Sequence, residues 1–137
     1  GTVAPVAGTP MDLRNPPPIG EHINDNFHQL IFARGYDHNY VLDGEVGKLH
    51  PVAQAYDSST GITMQAETTL PGVHFYTANY LPNGRAGKGG CTYAPRHGFC
   101  LETQFFPDAP NQPTFPSTVL QAGDKYEHTT IFSFSTQ

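Results

Sequence analysis

One acidic residue lies in a stretch whose composition could prepare it for proton transfer. Strand alternation over residues 99–104 places Glu102 on one face with Cys100 and Gln104. Phenylalanines flank this stretch along the chain, and apolar surroundings raise the pKa of a carboxyl group towards the range of a general base. The alternative is a solvated glutamate on an edge strand. The Pro-rich run 107–113 predicts a stiff, polar, non-helical loop after the strand, where sites are often built.

A second group of polar side chains follows a predicted bend at Gly35. Tyr36, Asp37 and His38 come directly after the glycine, and a strand is predicted to begin at Tyr40. An ordinary polar turn capped by Asp37 is the structural alternative. Because a charged carboxylate is a strong hydrogen-bond acceptor, Asp37 is a candidate for binding the hydroxyl groups of a ligand.

The strand predicted within residues 71–81 carries a titratable side chain. Alternation places His74 and Tyr76 on the face opposite Val73 and Phe75. Histidine offers both a donor and an acceptor, and it titrates near neutral pH. His74 is therefore a candidate for proton transfer or ligand binding on the same surface as Tyr76.

Strand patterns and turn signals alternate along most of the chain. Its 14 Gly and 13 Pro are accompanied by 9 Phe and 7 Tyr, a composition that favours a turn-rich all-β fold over disorder. The 137 residues fit a single domain, 1–137. Further strands are predicted at 49–56, 62–68, 115–120 and 126–135, an exposed hairpin loop at 83–90, and one short helix or helical turn between 19 and 30.

Charge and cysteine content exclude several classes of function. The net charge is -5 with only 7 Lys and Arg, so we expect no nucleic-acid or membrane partner. We find no bilayer-length apolar run and no charged-then-apolar start, and we expect a cytoplasmic protein. Cys91 and Cys100 could form a disulfide, although a reduced pair is the simpler interpretation. Seven histidines without a metal-ligand spacing predict no metal site.

Several of these stretches resemble signatures of the aldose 1-epimerases, also called galactose mutarotases. The resemblance implies an antiparallel β-sandwich of the galactose mutarotase type, a supersandwich truncated relative to the family because only its C-terminal part is matched. It also implies interconversion of the α and β anomers of aldohexoses such as glucose and galactose, without a cofactor. The segments that resemble the family are 8–14, 35–42, 71–81, 98–104 and 107–113.

The resemblance also implies roles for single residues. In the family, the glutamate that matches Glu102 removes the proton from the anomeric hydroxyl, and the aspartate that matches Asp37 accepts hydrogen bonds from sugar hydroxyls. At the position of His74 the family has a glutamine that contacts the substrate. Glu102 and His74 are therefore the predicted catalytic residues, and the predicted monosaccharide-binding residues are Tyr36, Asp37, His38, His74, Tyr76 and Gln104.

Mutarotation needs an acid as well as a base. The family's acid is a histidine in an upstream Asn-His-Ser-Tyr-Phe-Asn motif, and residues 1–137 contain no such motif. We expect His74 to supply the acid, because its strand is predicted to face the sugar. The alternatives are an aldose-binding domain with little or no turnover, and a site completed by a second chain. We also expect a homo-oligomer, because a truncated sheet leaves apolar surface to be covered.

Overall fold

The structure of the chain, a computed structural model, describes residues 2–15 and 17–136. Within these residues strands predominate and helix is almost absent, which confirms the predicted all-β class and is consistent with a truncated β-sandwich. Two 3-10 turns lie at Lys88–Gly90 and Ala109–Asn111. The other elements are α1 (His28–Ala33), β1 (Asp37–Val41), β2 (His50–Tyr56), β3 (Ile62–Thr68), β4 (Gly72–Tyr76), β5 (Arg85–Ala86), β6 (Thr92–Tyr93), β7 (Cys100–Gln104) and β8 (Thr130–Thr136).

The strands form three sheets, and the chain divides into two compact units. The sheet orders are β1-β4-β7, β2-β3-β8 and β5-β6. The first unit contains residues 39–73 and 102–136, and the second contains residues 2–38 and 74–101. The backbone passes from one unit to the other within β1, β4 and β7, so each unit holds part of each of these strands.

The first unit is built on the sheet β2-β3-β8. β3 pairs antiparallel with both neighbours, and it runs in register with β8 from Ile62, opposite Thr136, along its whole length. The ladder between β2 and β3 shifts register between Pro51 and Ala53. Proline has no N–H to donate, so a local irregularity in the ladder is expected there.

The second unit has a core of apolar side chains around Tyr36, which is only 1% exposed. α1 ends where Arg34 adopts the left-handed conformation with φ of 56°. The next N–H, of Gly35, donates back to the carbonyl of Leu30, which closes the helix and turns the chain into β1. The buried apolar residues of this unit are Met11, Ile23, Leu30, Tyr36, Phe75 and Ala78.

The helix that the spacing predicts between residues 19 and 30 lies further along the chain. Turns occupy most of 19–26, and the helix runs over His28–Ala33. Ile23 and Leu30 are buried as the pattern requires, but Ile23 is buried from a turn. Of the other two apolar positions in the pattern, Phe27 is half-buried and Ile19 is exposed, and the pattern placed the helical backbone too early.

The run 107–113 was predicted to be non-helical, but it contains a single 3-10 turn. Asp108 is left-handed, with φ of 63°, and its carboxylate accepts hydrogen bonds from the side chains of Asn111 and Gln112. These bonds tighten the chain locally. The hydrogen bond from Asn111, and to a smaller degree the one from Gln112, lowers the pKa of Asp108 below its ordinary value.

Two other predictions concern the C-terminal third. Residues 115–120 are not a strand in the structure, and the closing strand begins at Thr130 and not at 126. Pro116 interrupts the first segment, and its apolar pattern finds no ladder partner.

The predicted hairpin around 83–90 is confirmed, since β5 and β6 pair through Arg85 and Tyr93.

Two simpler observations complete the fold. Among the described residues, no helix has the length and hydropathy needed to cross a membrane. Cys91 and Cys100 are both exposed and are not joined by a disulfide.

Candidate functional site

The second unit brings Asp37 and His74 into direct contact. The Nε2 atom of His74 lies 2.7 Å from the Oδ1 atom of Asp37, and their side chains are 22% and 33% exposed. With Asp37 ionised, this geometry makes Nε2 the donor. Neither the second Asp37 oxygen, Oδ2, nor Nδ1 of His74 bonds to another described residue. The pair therefore keeps one acceptor and one ring nitrogen for a ligand.

His38 extends this arrangement on the other side of Asp37. The backbone N–H of Asp37 donates to Nδ1 of His38 at 3.0 Å, so Nδ1 carries no proton and Nε2 does. Nε2 then donates to Oε1 of Gln29, 3.3 Å away. Burial is the main cause that lowers the pKa of His38 below its ordinary value of 6.5, and nearby His74 acts in the same direction while Asp37 opposes it. His38 is therefore a neutral side chain that supports the backbone at Asp37.

A buried polar network holds the bend that precedes Asp37. The N–H of Tyr36 donates to Oγ1 of Thr77 at 3.1 Å, and this hydroxyl lies 2.7 Å from the amide oxygen of Asn79. The amide nitrogen of Asn79 donates to the carbonyls of Ala33 and Tyr36 at 2.9 and 2.8 Å. One side chain thus joins the end of α1 to the start of β1. The orientation of Asp37 rests on this network.

Tyr36 is a buried residue of the core of the second unit. Its hydroxyl donates to the carbonyl of Pro10 at 2.8 Å, and its ring packs against Phe75, with centroids 5.3 Å apart. Both rings are buried. The predicted contact between Tyr36 and a sugar does not agree with this burial, because the ring offers no face to solvent. Burial, followed by the charge of Asp25, raises the pKa of Tyr36, so it stays a neutral donor.

Tyr76 is the aromatic residue of the predicted site that stays partly exposed. It lies two positions after His74 on β4, and its hydroxyl oxygen accepts the N–H of Tyr80 at 3.0 Å. Alternation along β4 is confirmed: His74 and Tyr76 are partly exposed, whereas Val73 is buried. Tyr76 therefore provides an aromatic surface on the face of β4 that carries His74.

Glu102 lies on β7 in the first unit and is exposed. Its neighbour Thr103 turns inward and contacts the Oγ1 atom of Thr130 through its own Oγ1 at 2.6 Å. Because successive strand side chains point to opposite faces, this anchor directs Glu102 outward. The carboxylate makes no hydrogen bond or ion pair with any described residue.

The apolar environment predicted for Glu102 is absent, and the flanking rings explain why. Phe105 packs against His128, with centroids 5.5 Å apart, and Phe106 packs against Phe115, with centroids 5.2 Å apart. Both rings are used elsewhere in the first unit. Gln104, which alternation places on the same face of β7 as Glu102, is partly buried. Glu102 is thus a solvated carboxylate, which is the alternative interpretation of its sequence pattern.

Sequence reasoning missed Gln29 and Asn79. Gln29 lies on an exposed position of α1 and gave no signal, since its link to His38 depends on the displaced helix. Asn79 did carry a signal, because it is an amide in a stretch that is otherwise mostly apolar or small, and it is 8% exposed. A buried amide must find partners, and the free backbone groups of a nearby bend are natural ones.

Two adjoining surface depressions occur in the second unit. The larger has a volume of about 390 Å³ and includes Phe99 and Thr77 in its wall, and Arg96 borders both. The guanidinium of Arg96 donates to Oδ1 of Asn24 and to the carbonyl of Arg34, each at 2.7 Å. Neither depression contains a residue of the predicted site. Within residues 2–15 and 17–136, no three His, Cys, Asp or Glu side chains are grouped to hold a metal ion.

Comparison with known proteins gives consistent matches. The profile of a family described as aldose 1-epimerase matches residues 1–133. The chain is 47% identical over 135 residues to a galactose mutarotase of Homo sapiens and 44% identical to one of Bos taurus. It is 31% identical over 132 residues to an aldose 1-epimerase of Escherichia coli. These matches cover 98%, 98% and 94% of the chain but only 37–38% of each relative's length.

Proposed function

Because the chain belongs to the aldose 1-epimerase family, we propose that it binds the reducing end of an aldohexose and takes part in interconverting the α and β anomers. The observation that carries the proposal is the 2.7 Å contact between His74 and Asp37, which leaves one carboxylate oxygen and one ring nitrogen without a bond to another described residue. Glucose and galactose are the proposed substrates, and Glu102 is the proposed base.

The first step of the proposed reaction is proton removal from the anomeric hydroxyl. Glu102 is available to accept this proton, because no described residue bonds to either carboxylate oxygen. Loss of the proton allows the bond between the anomeric carbon and the ring oxygen to break. The ring oxygen takes a proton from an acid, and an open-chain aldehyde results. Rotation about the bond beside the aldehyde and reversal of the steps give the other anomer.

His74 is the proposed acid. In its protonated form Nε2–H stays bonded to Asp37, and Nδ1–H is the proton that can pass to the ring oxygen. Oδ2 of Asp37 is then free to accept a sugar hydroxyl. The carboxylate of Asp37 thus orients the acid through Oδ1 and binds the substrate through Oδ2, because each of its two oxygens can accept a hydrogen bond.

The test is the rate of anomer interconversion measured by polarimetry with freshly dissolved α-glucose and α-galactose. The spontaneous rate is subtracted. Loss of a general base typically costs about 10²- to 10⁴-fold, so Glu102→Gln should reduce the catalysed rate by about that factor. Glu45→Gln is the matched control, because Glu45 is an exposed glutamate of the first unit in contact with Lys48. A Glu102→Gln rate equal to that of the unchanged chain would reject the proposed base.

The second candidate function is aldose binding with little or no turnover. It is favoured by the exposure of Glu102, since the surroundings that would strengthen it as a base are absent around the exposed carboxylate. Under this hypothesis galactose perturbs the NMR signals of His74 and Tyr76, while the anomers interconvert at the rate in buffer. The catalytic proposal expects both the perturbation and an increased rate.

His74→Gln separates the two roles of the histidine. Glutamine can donate to Asp37, but it cannot supply a proton as an acid. If His74 is the acid, this variant keeps galactose binding within a few-fold and loses the catalysed rate. If the rate is retained, another group supplies the proton and His74 serves only in binding.

A further inference from the structure

Two different hydrogen bonds fix the ring of His38, one at each nitrogen. The backbone N–H of Asp37 can only donate, so its 3.0 Å bond to Nδ1 requires that Nδ1 carries no proton. In the neutral ring the proton is then on Nε2, which lies 3.3 Å from Oε1 of Gln29 on α1. The ring therefore joins α1 to the first residue of β1, and it makes both bonds only in its neutral form.

A second proton on this ring acts on the side of Asp37. The bond from Nε2 to Gln29 survives, because Nε2 carries its proton in both forms of the ring. Nδ1 changes from an acceptor into a donor, and it then faces the N–H of Asp37, which is also a donor. Because two donors cannot bond to each other, protonation removes the acceptor of this N–H. Either the ring or the backbone at Asp37 must then move.

The helix that holds His38 adds no charge to this contact. α1 bonds to the ring through Gln29, which is uncharged. The titratable residue of the same helix, His28, packs against Phe32, with ring centroids 4.2 Å apart. The charges that act on His38 therefore come from its own strand and from β4.

Those charges belong to the two members of the proposed sugar site. Burial is the main cause that lowers the pKa of His38, the charge of Asp37 opposes this decrease, and the charge of His74 adds to it. A protonated His38 is a cation near the carboxylate that already binds His74 through Oδ1. It would compete with a sugar hydroxyl for the remaining oxygen, Oδ2, since charged donors make the stronger hydrogen bonds.

We propose that His38 is a positioning residue for Asp37, and that protonation of His38 weakens sugar binding at the Asp37–His74 pair. This inference rests on the proposed function, because it concerns the affinity of the same site. Neutral His38 acts through the backbone N–H of Asp37 and does not contact the sugar. By linkage, a sugar that binds better to the neutral form also makes His38 harder to protonate.

The test measures the affinity for galactose by NMR from about pH 8 to about pH 5, together with the titration of the His38 ring. Affinity should fall about fivefold as the pH drops through the midpoint of this titration, which lies below 6.5. Saturating galactose should lower the midpoint by about 0.7 pH unit, which is the same fivefold factor. A midpoint that galactose leaves unchanged would overturn the proposal.

Two substitutions of His38 separate its two bonds. His38→Asn keeps an acceptor oxygen at the position of Nδ1 and cannot titrate, so it should bind galactose at pH 8 nearly as the unchanged chain does and should lose the part of the acid-side decrease that belongs to His38. His38→Gln keeps a donor at the position of Nε2 without that acceptor, so affinity should be about fivefold weaker already at pH 8. His74 is present in both variants, and its own titration therefore cancels in the comparison.

Gln29→Glu tests the proposal from the side of the helix. A glutamate accepts from Nε2 as the glutamine does, but its charge favours the protonated ring. The midpoint of His38, and the fall in affinity with it, should move to higher pH by about 0.5 unit. Gln54→Glu is the matched control, because it adds the same charge at an exposed position of β2 in the first unit and should move neither. A ring midpoint that moves without the fall in affinity contradicts the proposal.

The outcomes separate this inference from the proposed function. An unchanged chain that binds galactose at no pH rejects the proposed function and this inference with it. The inference alone is rejected if galactose binds with the same affinity across the pH range, if His38→Asn keeps the full acid-side decrease, or if His38→Asn and His38→Gln bind equally at pH 8. In each of these three cases the proposed function still stands.

Discussion

The Asp37–His74 pair and Glu102 are held by the protein in opposite ways. Asp37 is bonded to His74, supported by His38, and preceded by a bend fixed through buried Thr77 and Asn79. Glu102 is exposed, and no described residue bonds to its carboxylate. The next residue along β7, Thr103, makes a hydroxyl contact with Thr130 that fixes the strand beside it.

This difference teaches how stability and function are divided between the two regions. Around Asp37, the groups proposed to bind a sugar are also joined to the core, so substitutions there should affect folding and binding together. Glu102 is proposed to carry the chemistry, and its carboxylate makes no hydrogen bond or ion pair with a described residue. Substitutions there should affect the reaction alone, and the following measurements test that division.

Asn79→Ala should have the largest effect on stability. It removes the amide that bonds the carbonyls of Ala33 and Tyr36 and leaves the buried hydroxyl of Thr77 without that acceptor. We expect a loss of about 2–4 kcal/mol in the free energy of unfolding, measured with urea. Asn83→Ala, at an exposed position, is the control and should cost less than about 0.5 kcal/mol. Equal effects would show that the bend does not depend on Asn79.

Asp37→Ala should have an intermediate effect. It removes the acceptor of the His74 Nε2–H, but the pair is partly exposed and the lost bond is correspondingly weaker. We expect a loss of about 1 kcal/mol. Nitrogen NMR of the neutral His74 ring should show the proton at Nε2 in the unchanged chain and a mixture of tautomers in the variant. An unchanged tautomer would contradict the assigned geometry. Asp43→Ala, an exposed aspartate in a turn, is the control.

His38 predicts a pH dependence of smaller size. Its pKa is lowered in the folded chain, mainly by burial, so between the lowered value and about 6.5 the unfolded chain binds a proton that the folded chain does not. The stability due to neutral His38 is therefore complete above pH 6.5 and is lost as the pH falls towards the lowered pKa.

Urea unfolding at pH 8 and at pH 5 measures this dependence. His38→Gln should reduce the loss of stability on the acid side, whereas His97→Gln, at an exposed position, should leave it unchanged. An NMR titration of His38 with a midpoint above 6.5 would contradict the burial argument.

Glu102→Gln should have the smallest effect on stability. The side chain has no partner among the described residues, so the free energy of unfolding should stay within about 0.5 kcal/mol of the unchanged chain. Urea unfolding beside the polarimetric assay makes the comparison direct. A loss above about 1 kcal/mol would mean that Glu102 supports the fold, and the division between the two regions would no longer hold.

Local patterns predicted most of the strands correctly. β2 and β3 appear within one residue of the predicted bounds, and alternation along β4 places His74 and Tyr76 on one face. Each depends only on residues a few positions apart, since side chains in a strand alternate regardless of what lies beyond. The contact between Asp37 and His74 joins strands 37 positions apart, and only the family resemblance suggested that the two would act together.

The features that sequence could not predict depend on distant partners. The buried hydroxyl of Tyr36 bonds to the distant Pro10, and Glu102 is exposed while the nearby ring of Phe105 packs against His128. Nothing in the nearby residues specifies either direction. Residues 115–120 depend on a distant partner in the same way. Their apolar pattern predicts a strand, but none forms, because an apolar pattern becomes a strand only where another strand is available to pair with it.

The glycine before Tyr36 has a consequence for how the protein can vary. Gly35 has φ of 140°, and a Cβ atom there would lie 2.3 Å from the amide oxygen of Asn79. The backbone conformation is one that residues with a side chain rarely adopt, and the space is occupied by Asn79, so a replacement should be strained and should displace that side chain. Saturation mutagenesis scored by folding should therefore recover only glycine at position 35, whereas Gly20 and Gly98, with nothing within 4 Å, should accept many replacements. Laboratory evolution of this protein towards other ligands would have to change residues around Gly35 and keep the glycine itself.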